Sequence, residues 1–470
     1  MALSTPAAYA LFFITALSFL IIGLYAAYKN TKNKSDFLSS LRTQTAVPLA
    51  LNWIASSLGS SSLYAYPEVG TLAGILGVFM YAFGSVISLF VFALFGPYIR
   101  KKCPEGFTIT EFVLKRFSIV NQIYISLMSL AIMLCYMISE LSAVGSILLE
   151  LGNFDPKLSI ITIAVVTCLY TTYGGLRVSI FTDFIQGSVI IILIIISTIG
   201  FGTSVKIDQE LKDSSDLLKS NSLGWQLLYI MPVAVSFANL FHQGFWQRTF
   251  SSKNDKELKL SVLYGSLILF PVLIMIGFTG ILAVWAGTLT PEIPGYIAFF
   301  TLFSLPLWVI RLFAAAFNIP ADVLRVFLIG DLIATATMPP ILLGIFDKFY
   351  YINSIDAIAG GLGGFLGVFI FGSIYYGNAS DGANLINLPL GLYGEDYSVL
   401  GAFIVCPLSS LFFTFLSCGV RLGIMMLIGK KPMRDESSHE PSEQPNEQSK
   451  SPHEQLDEQN KPQDSDNITR

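Results

Sequence analysis

The 470-residue chain is dominated by apolar side chains: 53% of its residues are hydrophobic and 13% are charged. Soluble domains average roughly 25% charged residues, so this composition excludes an ordinary soluble protein and indicates a polytopic membrane protein. The net charge of −4 comes from residues 432–470, where ten acids outnumber four bases, and it therefore carries no information about a substrate.

Twelve apolar blocks are long enough, or nearly so, for the roughly 20 residues with which a helix crosses a bilayer. Because backbone groups in hydrocarbon must be satisfied within their own segment, the predicted fold class is an all-α polytopic membrane protein. Residues 1–430 are predicted to form one transmembrane domain of about 12–13 helices, and 431–470 a disordered, acidic, cytoplasmic tail. The blocks are 7–28, 46–66, 72–97, 123–149, 158–176, 180–203, 225–246, 262–287, 296–319, 322–346, 355–377 and 397–428.

The second block is interrupted by small polar residues. Its sequence, ALNWIASSLGSSSLYAYPEVG (50–70), contains five Ser and two Gly in an otherwise apolar run that ends near Pro67. Small hydroxyl residues in spans commonly serve helix packing. The alternative is an unwound helix whose carbonyls and hydroxyls coordinate a cation, as in transporters with discontinuous helices.

The segment YTTYGGLRVSIFTDFIQ (170–186) joins the fifth and sixth blocks. Gly174 and Gly175 predict a tight turn, and Thr182 is predicted to cap the next helix. A turn does not account for Asp183, which lies at the entrance of a long Ile-rich span.

Two acids lie within predicted spans: Glu140 in CYMISELSAVG and Asp331 in FLIGDLIATATM. A carboxylate in hydrocarbon is costly and marks either an ion path or a buried partner. For each acid a structural hydrogen bond and a role toward an ion, a proton or a substrate both stay open. His242, near the end of the seventh block, is more typical of a packed residue than of a titrating one.

Loop charges predict the topology, because Lys and Arg concentrate in cytoplasmic loops. Basic residues such as Arg248 follow the odd-numbered spans up to the seventh, and acids such as Glu68 lie in the intervening loops, so the N-terminus is predicted outside. Arg421 and the basic residues after it place the tail inside. The sequon at Asn378, a predicted glycosylation site, fits the outside face.

Twelve crossings cannot connect an outside N-terminus to an inside tail. The mismatch points to the irregular stretch FSLPLWVIRLFAAAFNIP (303–320), which carries Arg311 in its middle. Either this stretch is a shortened hairpin with Arg311 at a cytoplasmic turn, or the tail faces outward.

The chain resembles the sodium:solute symporter family. The resemblance rests on YTTYGGLRVSIFTDFIQ, and is supported by NWIASSLGSSS, FGPYIRKKCPEGFTITEFVLKRF and QGFWQRTFSSKN. Within the family the chain looks most like the fungal urea active transporter branch. The resemblance implies a leucine-transporter-type inverted-repeat bundle in the plasma membrane, with the second repeat truncated around residues 296–321.

The resemblance also implies a set of site residues. A cation would be bound by the carbonyls of Ala55 and Leu58, with Asp183 on its cytoplasmic path. Sugar-transporting members carry a glutamate where Tyr81 aligns, so a sugar is disfavoured. The helix that would add hydroxyl ligands is missing, which makes proton coupling through Asp183, Glu140 or Asp331 an alternative to Na⁺. The substrate cavity would be lined by Ser57, Ser62, Tyr81, Asn239 and Gln243.

We therefore predict a secondary active symporter for a small polar solute, such as urea, a polyamine or an amino-acid-like molecule, coupled to Na⁺ or H⁺ and without another cofactor. The alternative is a non-transporting homologue that acts as a sensor or regulatory partner, or is inactive because part of the second repeat is missing. No nucleotide-binding motif, metal-ligand cluster or catalytic triad is present, so an enzyme is not expected. The expected partners are the solute and the lipid bilayer, with no nucleic acid; a homo-oligomer stays open.

Overall fold

The computed structural model describes residues 5–30, 42–59, 62–106, 108–152, 155–288, 323–392 and 396–429, which are almost entirely helical. The predictions for the ninth block, for Arg311 and for the tail 431–470 lie outside the described residues. The helices are α1 (Thr5–Asn30), α2 (Ala46–Ser57), α3 (Ser62–Lys102), α4 (Ile109–Arg116), α5 (Ile119–Gly152), α6 (Pro156–Ser204), α7 (Gln209–Ser214), α8 (Ser222–Phe241), α9 (Gln243–Ser251), α10 (Asp255–Trp285), α11 (Val323–Leu343), α12 (Ser354–Tyr376), α13 (Ala379–Leu385) and α14 (Ser398–Leu427).

The described residues contain ten helical segments that are long and apolar enough to cross a membrane. Large apolar side chains cover their outer surfaces; on α6, for example, Ile192, Ile196 and Ile199 are each more than half exposed. Such a surface suits lipid rather than water. The chain is therefore an integral membrane protein, and each predicted block within the described residues coincides with one or two helices.

The second block is a discontinuous helix. Helix α2 ends at Ser57, Leu58 leaves helical geometry with φ −110° and ψ 73°, and α3 begins at Ser62. The predicted end at Pro67 is wrong, because this proline lies inside α3. Helix α3 has 41 residues, about 60 Å of rise and twice the thickness of a bilayer core. A non-helical residue, Gly74, divides it into a short segment and a full span.

The predicted turn between the fifth and sixth blocks is confirmed at Gly175, which adopts φ 61° and ψ −160° within α6. Thr182 does not cap the following helix, contrary to prediction. Its hydroxyl donates to the carbonyls of Val178 and Ser179 at 3.1 and 3.0 Å, because the helix resumes before it.

A Gly175→Ala variant is expected to be destabilised by about 1–3 kcal/mol, because its backbone lies in a region that is essentially restricted to glycine. The apparent melting temperature of the purified protein measures this loss. Gly200→Ala is the matched control: Gly200 lies in the same helix, and a Cβ there would meet nothing within 4 Å. Equal melting temperatures for the two variants would contradict the strained turn.

The seventh block is also discontinuous, whereas the sequence predicted one span over 225–246. Helix α8 ends at Phe241 and α9 begins at Gln243, with His242 between them at φ −72° and ψ 100°. The bundle thus contains two interrupted helices, α2/α3 and α8/α9.

The start of α2 is tied to the connection between α9 and α10. Gln44 pairs with Ser252 as an isolated β-bridge, and the backbone N–H of Ala46 donates to Glu257 at 2.6 Å. Arg100, at the end of α3, donates to the Ser252 hydroxyl at 2.7 Å. These contacts anchor one end of each interrupted helix to a common point.

Arg421 lies inside α14 rather than in a loop after the last span. Its guanidinium forms an ion pair at 2.7 Å with Asp356, which is completely buried at the start of α12. The prediction that Arg421 marks a cytoplasmic loop is therefore wrong, because this side chain has a buried partner.

Candidate functional site

The break after α2 faces the second half of α6. The side-chain amide of Asn52 donates to the Ile180 carbonyl at 2.9 Å, and a Cβ built at Gly187 would lie 3.4 Å from the Cβ of Ala55. Asp183 lies one helical turn before Gly187, and therefore on the same face of α6. The structure thus brings Asp183 close to α2.

The two carbonyl positions implied for a cation lie at the end of α2: Ala55 in its last turn and Leu58 as its C-cap. The last four carbonyls of a helix have no intrahelical partner. They carry the negative end of the helix dipole, which favours a cation at this position.

Asp183 has a partner that the sequence did not predict. Its carboxylate accepts a hydrogen bond at 2.6 Å from the guanidinium of Arg248 on α9, and both side chains are largely buried. Arg248 also donates to the Gly244 carbonyl at 2.9 Å. From the sequence, Arg248 is predicted to be a loop charge; its place in QGFWQRTFSSKN, directly after an interrupted span, is the feature that points to a functional role.

The break at His242 is bordered by two predicted cavity residues. The Asn239 amide donates to Ser88 at 2.7 Å, and the Gln243 amide donates to the Ser129 hydroxyl at 3.0 Å. The carbonyl oxygen of the Gln243 side chain is buried and accepts no hydrogen bond from the part of the chain that the structure describes. One acceptor is therefore left for a ligand or water.

Tyr81 interacts with several tyrosines and acids. Its ring stacks on Tyr66 with centroids 4.1 Å apart and planes 8° from parallel. Tyr81 interacts electrostatically with Asp331, Glu68 and Glu140. We call these five residues, together with Tyr136, the Tyr81 cluster.

Asp331 is held by Tyr136 in the centre of the bundle. The Tyr136 hydroxyl donates to Oδ1 of Asp331 at 2.7 Å, and the acid is only 5% exposed. Among the described residues, none donates a hydrogen bond to its other oxygen, Oδ2. The side chain therefore has a fixed orientation and one oxygen with acceptor capacity left.

The Glu140 carboxylate lies at the break between α2 and α3. A Cβ built at Gly59 would lie 2.6 Å from its Cδ and from its Oε2. In the sequence, Glu140, Asp331 and the interrupted helix are separate features, whereas the structure brings them into one cluster.

Glu68 was predicted to lie in a loop. It is instead buried in α3 at 2% exposure, which corrects that prediction.

The remaining predicted residues have simpler positions. Ser57 and Ser62 are half-buried on either side of the break, and the Ser62 hydroxyl donates to the Ser57 carbonyl at 3.2 Å. Asn378 is exposed at the start of α13, where its side chain contacts Asp381 at 2.7 Å, away from the cluster. Within the described ranges, no three His, Cys, Asp or Glu side chains are placed to hold a metal ion.

An all-helical membrane bundle with two interrupted helices, each bordered by buried polar groups, defines a secondary transporter. The chain belongs to the sodium:solute symporter family, whose model matches residues 37–317. The family resemblance identified from the sequence is thereby confirmed.

Relatives of known name are transporters rather than enzymes. The chain is 35% identical to the spermidine transporter DUR31 of Candida albicans, over 91% of this chain and 92% of that protein. It is 23% identical to the urea active transporter of Saccharomyces cerevisiae, over 53% of this chain and 36% of that protein.

The fold is that of a solved symporter. A Na⁺-coupled sialic acid symporter, in a substrate-bound outward-open state, superposes with a TM-score of 0.60 at 16% identity. The superposition covers 86% of this chain and 97% of the other. The predicted leucine-transporter-type bundle is therefore confirmed.

Proposed function

We propose that this chain is a secondary active symporter for a small organic polycation of the polyamine class. The observation that carries the proposal is that three acids, the buried Asp331 and Glu68 and the half-buried Glu140, interact electrostatically with Tyr81 beside an interrupted helix.

Electrostatics favour a cationic solute over a neutral one. Carboxylates within a membrane are costly unless a charge compensates them, and a protonated amine supplies both a positive charge and N–H donors. Tyrosine ring faces also attract cations, and the buried Tyr66 and the half-buried Tyr81 belong to the same cluster. Urea is neutral and offers no positive charge to a carboxylate. The name of the Candida albicans relative, a spermidine transporter, agrees with this choice.

The coupling ion of the proposed symporter is Na⁺ or H⁺. The carbonyls of Ala55 and Leu58 are suited to Na⁺, which prefers oxygen ligands. A proton would instead be carried by a carboxylate. Asp183 on α6, which is paired with Arg248, is the candidate. We further propose a plasma-membrane location with the N-terminus outside and the tail inside, the arrangement that the loop charges favour.

Uptake of radiolabelled spermidine by cells that lack their own polyamine permeases tests this function. We expect saturable uptake that is inhibited by other polyamines but not by excess urea. Uptake should depend on either a Na⁺ gradient or a proton gradient, and Asp183→Asn should reduce that dependence at least tenfold. Asp155→Asn, which changes an exposed acid directly before α6, is the control.

A non-transporting homologue is the second candidate function. The alignment with the spermidine transporter has 481 positions but covers 91% of 470 residues, about 428, so about 53 positions face gaps in this chain. A loss of that size exceeds one transmembrane helix. Correctly localised protein that accumulates no polyamine under any ion gradient would reject the symporter and favour this candidate.

A further inference from the structure

We propose that Asp331 and Glu140 form two separate ammonium sites, so that the protein selects its solute by the number of positive charges. This inference rests on the polyamine function proposed above. It adds a mechanism of specificity that favours diamines and longer polyamines over monoamines.

The first ammonium site is Asp331. The hydrogen bond from Tyr136 fixes one carboxylate oxygen and leaves Oδ2 to accept a donor. Tyr136 is itself held by Phe327, whose ring centroid lies 4.9 Å away. An ammonium group has three N–H donors and no acceptor, so it complements a carboxylate with open acceptor capacity.

The second ammonium site is Glu140 at the break between α2 and α3. Gly59 lacks the Cβ that would collide with the carboxylate, so the carboxylate occupies the break itself. The positive end of α3, which begins at Ser62, faces this break and the carboxylate in it. The last carbonyls of α2 carry partial negative charge and favour a cation beside it.

The two sites share one face of α5. Tyr136, which holds Asp331, and Glu140 are four residues apart, a rise of about 6 Å. Tyr81 interacts electrostatically with both acids. A solute with two amino groups would place one group at each acid, with the Tyr66–Tyr81 stack beside the methylene groups that join them. A monoamine has a single ammonium group and would contact only one of the two acids.

Competition binding to the purified full-length protein in lipid nanodiscs tests the two-site arrangement. Labelled spermidine is displaced by butane-1,4-diamine or by butan-1-amine, which has the same carbon chain but one charge. For the wild type we expect the diamine to compete at least about tenfold better, the effect of one added hydrogen-bonded charge contact. In Asp331→Asn and in Glu140→Gln that ratio should fall toward one.

Glu210→Gln, which changes an exposed acid on α7, is the charge-matched control and should keep the wild-type ratio. Thermal melting verifies folding, and either isosteric variant alone is sufficient to decide. If both variants lose affinity for the two amines equally, the ratio stays unchanged and the two-site inference is overturned while the polyamine function stands. A folded wild type that binds no spermidine overturns both.

Discussion

Replacing Arg421 by methionine is expected to destabilise the protein by about 3–5 kcal/mol, because it leaves a buried carboxylate without its countercharge. Asp356 is completely buried and accepts hydrogen bonds from Arg421 at 2.7 and 3.2 Å and from Ser417 at 2.9 Å. The expected result is an apparent melting temperature lower by at least about 5 °C, measured on the purified protein.

The Arg421→Met effect has a control within the same chain. Lys219 and Asp216 form an ion pair at 2.7 Å, but both side chains are more than half exposed. Exposed pairs are solvated whether or not they are in contact, so Lys219→Met should leave melting unchanged. Combining Arg421→Met with Asp356→Asn removes the unpaired buried carboxylate and should restore part of the lost melting temperature. If the double variant melts no higher than Arg421→Met, the ion pair is not the source of the stability.

Local features of the fold were predictable from the sequence. Five serines and two glycines in an apolar run left helix packing and an unwound helix as alternatives, and the interruption at Leu58 is the second of these; a Gly-Gly pair predicted the turn at Gly175. Both features depend on the backbone of a few consecutive residues, so the local amino-acid composition is enough to predict them. The intramembrane acids Glu140 and Asp331 were visible for the same reason, since a charge stands out against hydrocarbon.

Long-range pairing was not predictable. Asp183 and Arg248 are 65 positions apart in the sequence, as are Asp356 and Arg421. Each of these arginines lies near the end of a span, where charge statistics assign it to a loop. Only the packing of helices decides whether such a side chain turns toward water or toward a buried acid.

The position of Glu68 was misjudged for a related reason. The sequence predicts that a span ends at its neighbour Pro67, but proline is tolerated in membrane helices where other groups satisfy the freed carbonyl. The chain instead turns at Gly74, where the Ile75 N–H donates to the Leu217 carbonyl at 2.9 Å. That contact comes from a loop that precedes α8, which the local sequence cannot reveal.

A Gly59→Ala variant is expected to weaken polyamine binding about 5- to 150-fold, because overpacking of this kind typically costs about 1–3 kcal/mol. The new Cβ would lie 2.6 Å from the Cδ of Glu140, so the carboxylate must leave the break. Equilibrium binding of labelled spermidine to protein in nanodiscs measures the loss. Gly423→Ala is the control, since a Cβ there meets nothing within 4 Å.

The same clash predicts a rescue, which separates a local effect from general damage to α2. Aspartate is one methylene shorter than glutamate, so Glu140→Asp combined with Gly59→Ala keeps the charge and withdraws the carboxylate from the new methyl group. We expect the double variant to bind more tightly than Gly59→Ala, although Glu140→Asp alone should bind more weakly than the wild type. Wild-type affinity in Gly59→Ala would show that Glu140 does not occupy the break when solute binds. Additive losses in the double variant would show that the two residues act independently, since only contacting residues couple strongly.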